Sequence, residues 1–204
     1  MSRFAKRLTD ILLSGTALLI TAPLMAAIPL AIRLSIGRPV LFRQTRPGYK
    51  GRPFTLLKFR TMTAARHAQG LLLPDAERLT PIGRLLRQRS LDELPQLWNV
   101  LRGDMSLVGP RPLLMQYICR YTPEQARRHD AKPGLTGWAQ VNGRNALTWP
   151  KKFSLDLWYV DNWNLRLDAW ILVRTLWQVL KREGISQEGH ATMSEFSGDE
   201  PNEP

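Results

Sequence analysis

The residues best suited to chemistry are two adjacent carboxylates, Asp92 and Glu93, in the stretch SLDELPQLWNVLRGDMSLVGPRP from Ser90 to Pro112. Ser90 followed three residues on by Glu93 is a capping-box pattern, so the sequence predicts a helix with Ser90 as its N-cap. Leu94, Leu97, Trp98 and Leu101 continue that helix at the right spacing, and Gly103 stops it. Pro95 frees the Leu91 carbonyl and bends the first turn. Asp92 would then lie near the positive end of a helix, a place that tolerates phosphate beside a carboxylate. That field and nearby cations are expected to lower its pKa. Downstream, Gly109-Pro110-Arg111-Pro112 sets a guanidinium on a stiff turn, suited to bidentate contact with phosphate or a pyrimidine edge. The same acidic pair also occurs as a plain helix cap, so its context decides.

The elements around the pair supply cations. Val40–Arg46 and Pro53–Met62 read as a hairpin joined by Pro47-Gly48-Tyr49-Lys50-Gly51. Lys58 and Arg60, two apart on the second strand, project from one face. Gln69 to Arg78 reads as loop. Thr80-Pro81 then opens a helix through Arg89 that carries Arg84, Arg87 and Arg89 toward the carboxylates. Arg87 is placed to bind an anion there, although a solvated basic face has the same composition. Thr122-Pro123-Glu124 opens another helix to about Asp130. The Gly- and Asn-rich KPGLTGWAQVNGRN, Lys132 to Asn145, follows it, and its backbone amides can face an anion. Trp163, Trp170 and Trp177 recur every seven residues and mark one face of a helix from Leu167 to Lys181. That face suits a membrane interface, or else a core.

The ends of the chain set the compartment. Arg3, Lys6 and Arg7 precede an apolar run, Ile11–Ile32, broken by Pro23 and Pro29, and Arg33, Arg38, Arg43 and Arg46 follow it. The run is as long as the roughly 20 residues that span a hydrocarbon core. No small-residue cleavage pattern follows it. Cations on both flanks favour both ends on the cytoplasmic face. A helix bent near Ala22-Pro23, with Thr21 or a nearby carbonyl rearrangement satisfying the freed backbone, meets that condition; a straight single-pass anchor is the alternative. The net charge of +12 over 204 residues calls for an anionic partner. The single cysteine, Cys119, excludes an internal disulfide framework, and the three histidines show no zinc spacing. There is no Walker A loop, no GxGxxG and no Asp-x-Asp.

Together, KFRTM (58–62), the Ser90–Pro112 stretch, KPGLTGWAQVNGRN (132–145) and the Pro-broken apolar start resemble the bacterial sugar transferase family, the monotopic phosphoglycosyl transferases. The compact form, with Ser186-Gln187-Glu188-Gly189-His190 near its end, is most similar to members that transfer N,N'-diacetylbacillosamine 1-phosphate to undecaprenyl phosphate. Family members often carry Ser-Pro at the bend, where this chain has Ala22-Pro23. The resemblance implies an α-rich α/β fold: an N-terminal re-entrant membrane helix (1–36) and a cytoplasmic catalytic domain with a small β-hairpin or sheet and amphipathic interfacial helices (37–193); the polar, acidic composition from Ser194 on predicts a disordered tail (194–204). The resemblance also implies a Mg²⁺-dependent reaction of a UDP-sugar with undecaprenyl phosphate at the cytoplasmic leaflet of a bacterial inner membrane, releasing UMP. It makes Asp92 the nucleophile and Mg²⁺ ligand, with Glu93 assisting. Lys58, Arg60, Arg87 and Arg111 become substrate contacts, with Asp156 and Asp168 at further substrate-binding positions. Nucleic acid is not an expected partner, and a homodimer is left open.

Two other classes use some of the same features. A membrane glycosyltransferase would release UDP, and a basic membrane-surface or nucleic-acid-binding protein would use the charge without the carboxylate pair.

Overall fold

A computed structural model describes residues 3–67, 69–143, 146–181 and 195–198. The first element is α1, Arg3–Ser35, a 33-residue helix that contains both Pro23 and Pro29. Ala22 and Pro23 are exposed. The Thr21 hydroxyl donates to the Ala17 carbonyl at 2.7 Å. Proline 23 frees the Leu19 carbonyl instead, so Thr21 does not serve the freed group as expected.

Most of the apolar surface of α1 is uncovered, including Leu12, Leu19, Ile20, Leu30 and Leu34. It is the one described helix long and apolar enough to cross a membrane. Two stretches of it nevertheless touch the rest of the chain. Near the start, Arg7 donates to the Val100 and Leu101 carbonyls, and Asp10 accepts from the Ser106 hydroxyl and the Leu107 N–H. Near the end, Ile28 and Ile32 are buried with Phe59 and Leu86.

Next come β1, Leu41–Pro47, and β2, Pro53–Phe59, an antiparallel hairpin with Leu41 opposite Phe59. The second strand ends before Met62, which forms only an isolated bridge to Leu79. The expected loop before Arg78 contains one helical turn, α2, Asp75–Arg78. Helix α3, Pro81–Gln88, starts as its sequence indicates: the Thr80 hydroxyl accepts from the Gly83 N–H. A Cβ at position 83 would lie 1.9 Å from the Thr61 carbonyl oxygen, so only glycine lets α3 pack this closely on the end of β2.

A 3₁₀ turn, Leu91–Glu93, leads into α4, Gln96–Arg102, which ends at Gly103 in the left-handed conformation. Strand β3, Ser106–Val108, pairs in parallel with β4, Gly134–Thr136. Between them lie a 3₁₀ segment, Met115–Arg120, and α5, Pro123–Ala126, opened by a complete Thr122/Gln125 capping box. Helices α6, Trp138–Val141, α7, Trp149–Asn162, and α8, Leu165–Lys181, complete the fold. Leu56, Leu97, Val100, Met105, Val108, Tyr159 and Ile171 make the central core, joining β2, α4, β3, α7 and α8.

The tryptophan periodicity divides in the structure. Trp163 terminates α7, packs against the core and lies under Lys6, because it falls outside α8. Trp170, Val173, Leu176, Trp177 and Leu180 form an uncovered face of α8, with Arg174 over Trp170 and Lys181 over Trp177. Of the tail, residues 195–198 are described. Phe196 is 2% exposed and packs among Leu113, Tyr117, Trp149 and Phe153, while Glu195 pairs with Arg120. One aromatic ring supplies the apolar burial that the polar residues around it lack. The Ser186–His190 motif and Arg144-Asn145 lie outside the described residues.

Candidate active site

Three elements converge on Glu93. Strand β2 delivers Lys58, whose Nζ donates to Glu93 Oε1 at 2.6 Å. The turn after β3 delivers Arg111, whose Nη2 donates to the same oxygen at 2.7 Å. The 3₁₀ turn holds the carboxylates between them. Asn99 locks α4 to β2 beneath this point: its Oδ1 accepts from the Leu57 N–H at 3.1 Å and its Nδ2 donates to the Thr55 carbonyl at 2.8 Å. The Arg111 turn is fixed by close backbone packing, since a Cβ on Gly109 would lie 2.2 Å from the Lys132 carbonyl oxygen.

The expected capping box is not formed. Ser90 adopts a left-handed conformation, φ 54°, and its side chain caps nothing. The α-helix begins only at Gln96, after Pro95. Asp92 therefore sits in a 3₁₀ turn, where it is buried. No hydrogen bond or ion pair among the described residues ends on its carboxylate.

The two carboxyls differ in their electrostatics. Burial opposes the ionisation of Glu93, but Arg111 and Lys58 override it and hold the group well below the usual carboxylate range. Asp92 is shifted the other way from the sequence expectation: burial raises it first and the Glu93 charge second, against the pull of Lys58, Arg87 and Arg111. A short turn offers little helix dipole to oppose that burial. Glu93 is thus a fixed anion already shared by two cations. Asp92 is a desolvated acid with its oxygens uncommitted.

The remaining sequence-predicted residues fall into two groups. Arg87 approaches from α3, with its Nε on the Thr61 hydroxyl and its charge acting on Asp92. Arg60 does not join Lys58. It lies beyond the end of β2, and its guanidinium donates to the Met62 and Arg38 carbonyls. Asp156 forms a buried ion pair with Arg128 at 2.6 Å, and Arg128 also donates to the Arg111 carbonyl at 2.8 Å. Asp156 therefore bears on the site through the backbone that carries Arg111. Lys152, one turn earlier on α7, is pushed down to about 8 by burial, against the pull of Asp156. Asp168 accepts from Lys6 at 2.5 Å and from the Tyr159 hydroxyl at 2.7 Å, tying α8 and α7 to the start of α1.

Arg128, Lys6, Asp10 and Asn99 were not singled out for these contacts in the sequence. Arg128 and Asp156 are 28 residues apart, with no local pattern linking them. Lys6 and Asp10 did carry a signal, because charges beside an apolar helix need partners. A narrow cleft beside Arg111 is lined by Pro47, Pro110, Pro112, Arg128 and His129. Burial pushes His129 down to about 4 there.

An apolar N-terminal helix long enough to cross a membrane is joined to a small α/β module that holds an uncommitted carboxylate beside a cation-bound one. The family model for bacterial sugar transferases matches residues 1–182. The chain belongs to the bacterial sugar transferase family and is a phosphoglycosyl transferase. It is 58% identical over 193 residues to an uncharacterized sugar transferase, EpsL, of Bacillus subtilis, covering 95% of this chain and 96% of that one. It is 42% identical over 181 residues to a UDP-glucose:undecaprenyl-phosphate glucose-1-phosphate transferase of Caulobacter vibrioides, covering 84% and 68%. It is 40% identical over 200 residues to an undecaprenyl-phosphate galactose phosphotransferase of Salmonella typhimurium, covering 90% of this chain and 42% of that longer protein.

Proposed function

We propose that this protein transfers a sugar 1-phosphate from a UDP-sugar to undecaprenyl phosphate and releases UMP. The observation that carries this reading is the division of labour in the carboxylate pair. Glu93 is committed to Lys58 and Arg111, whereas Asp92 is buried, uncommitted and flanked by the same cations.

An Asp92 oxygen attacks the sugar-bearing phosphorus, and the bond from that phosphorus to the UMP oxygen breaks. UMP leaves, and an aspartyl phosphosugar remains. An oxygen of the lipid phosphate then attacks the same phosphorus and frees Asp92. Lys58, Arg87 and Arg111 screen the phosphates, which an anionic nucleophile would otherwise repel. The Glu93 charge fixes Lys58 and Arg111 in place, and the Arg128–Asp156 pair fixes the Arg111 backbone.

Mg²⁺ fits this arrangement. The described residues hold no cluster of three or more metal-ligating side chains. Mg²⁺ commonly takes one or two carboxylates and completes its shell with phosphate oxygens and water. Asp92 has the open oxygens for that. When bound, the ion would neutralise diphosphate charge.

The membrane reading rests on α1 and α8. Lys6, Arg7 and Asp10 near one end of α1 and Ile28 and Ile32 near the other contact the same module. This supports a helix that enters and leaves on the cytoplasmic leaflet. The uncovered α8 face, with cations over Trp170 and Trp177, supports an interfacial seat. For the sugar, the resemblance favours a diacetylbacillosamine-like N-acetylated donor. The names of the Caulobacter and Salmonella relatives favour a glucose or galactose donor as a second reading. Incubation with undecaprenyl phosphate, Mg²⁺ and a panel of UDP-sugars, scoring nucleotide products, tests both points. UMP is expected; UDP would indicate a conventional glycosyltransferase.

A further inference from the structure

Gln96 opens α4 and is 2% exposed, yet its Nε2 has no hydrogen-bond partner among the described residues. A buried amide N–H left unpaired destabilises a fold. Asn99, almost one turn further on and equally buried, has both ends of its amide engaged with β2. Two contacts bracket Gln96. On one side Asn99 meets β2 at Thr55 and Leu57; on the other Glu93 meets it at Lys58. Gln96 lies midway between them in the chain.

Leu94 and Pro95, between the Leu91–Glu93 3₁₀ turn and α4, both have right-handed helical dihedrals. Asp92 stands four residues before Gln96, about one turn earlier in the chain. The nearby cations are already turned elsewhere: Lys58 and Arg111 to Glu93, and Arg87 to Thr61 and Met62. An unpaired donor and an uncommitted acceptor thus stand about one turn apart in the chain, each on a buried residue.

We propose that Gln96 is a positioning residue for the transfer: its amide donates to the Asp92 carboxylate and selects which oxygen faces the phosphorus. This rests on Asp92 being the nucleophile. A carboxylate with no fixed donor can rotate between two equivalent presentations. One donor removes that equivalence and holds a near-attack geometry. An amide that waits unpaired costs the resting fold stability, as groups built for a reaction often do.

The test compares wild type with Gln96→Met, which keeps the length and removes the donor. The quantities read are melting temperature and the rate and UDP-sugar dependence of phosphosugar adduct formation, followed by intact-protein mass spectrometry. Gln96→Met should melt at or above wild type, because an unpaired buried group has been removed. Its adduct should form about tenfold to hundredfold more slowly at saturating UDP-sugar, the range expected for one hydrogen bond to a charged group. The half-saturating UDP-sugar concentration should stay within about threefold, since the interaction is not a binding contact. Gln96→Glu replaces the donor by a second anion of the same shape and should be slower still. A wild-type rate in either variant would overturn the proposal, as would a lower rate that merely tracks a lower melting temperature. Absence of any adduct in wild type would instead remove the covalent reading on which the proposal rests, and the proposal with it.

Discussion

Glu93→Gln should destabilise the protein at neutral pH, and Asp92→Asn should not. One Glu93 oxygen accepts from Lys58 at 2.6 Å and Arg111 at 2.7 Å. The Lys58 side chain is 21% exposed, so its charge-assisted bond contributes about 1.5 kcal/mol. The Arg111 side chain is 44% exposed, and solvent screening lowers its bond to about 0.5–1 kcal/mol. Removing the Glu93 charge also relieves its repulsion of Asp92, by about 1 kcal/mol under partial screening. The net loss is about 1–1.5 kcal/mol, which lowers the melting temperature of a chain this size by about 2–6 °C. The pH dependence has a definite sign. The folded pKa of Glu93 lies below its unfolded value, so its stabilisation is complete above that unfolded value and is lost as pH falls through the folded one. The gap between wild type and Glu93→Gln should hold from neutral pH to about pH 5 and close below that. Asp92 behaves oppositely. Burial and the Glu93 charge raise it, so its ionisation lowers stability as pH rises through the folded pKa, and Asp92→Asn should melt at or above wild type at pH 7. Thermal melts in detergent across pH 4–8 measure both. A Glu93→Gln protein as stable as wild type at pH 7, or a gap that widens toward acid, would refute the reasoning.

Three further outcomes follow from other contacts. Asp156→Asn leaves Arg128 buried without its counter-charge and should lose about 3–5 kcal/mol in chemical denaturation; the KM for UDP-sugar should also rise as the Arg111 backbone loosens. Phe196→Ala should release the 195–198 segment from its aromatic slot, read as faster removal of a C-terminal tag by protease with the core still folded. Trp170→Ser with Trp177→Ser should ease extraction from membranes more than it slows turnover in detergent; unchanged extraction from an unfolded protein would make that face a packing surface instead.

Local patterns carried the hairpin, the Thr80 and Thr122 caps, the Gly103 stop and the long apolar helix, because each depends on residues a few positions apart. The adjacency of Asp92 and Glu93 was also legible, but their opposite electrostatics were not. Those depend on which cation reaches which oxygen, and Arg111 reaches Glu93 across 18 residues. The capping box failed because Ser90 turned left-handed and Pro95 delayed the helix. Arg60 was misplaced because the strand stopped one residue before it. The roles of Asp156 and Asp168 needed tertiary partners, Arg128 and Lys6, that no spacing rule pairs. The seven-residue tryptophan repeat ran across the break between α7 and α8, so one of its three members faced the core.

The central claim is that Asp92 forms a covalent bond to the sugar phosphate. Intact-protein mass spectrometry after mixing the enzyme with UDP-sugar and Mg²⁺, without lipid, tests it most directly. The account predicts a phosphosugar adduct and at most about one UMP per enzyme in wild type, and neither in Asp92→Asn. An adduct that persists in Asp92→Asn, or lipid-dependent turnover with no UMP burst, would contradict it.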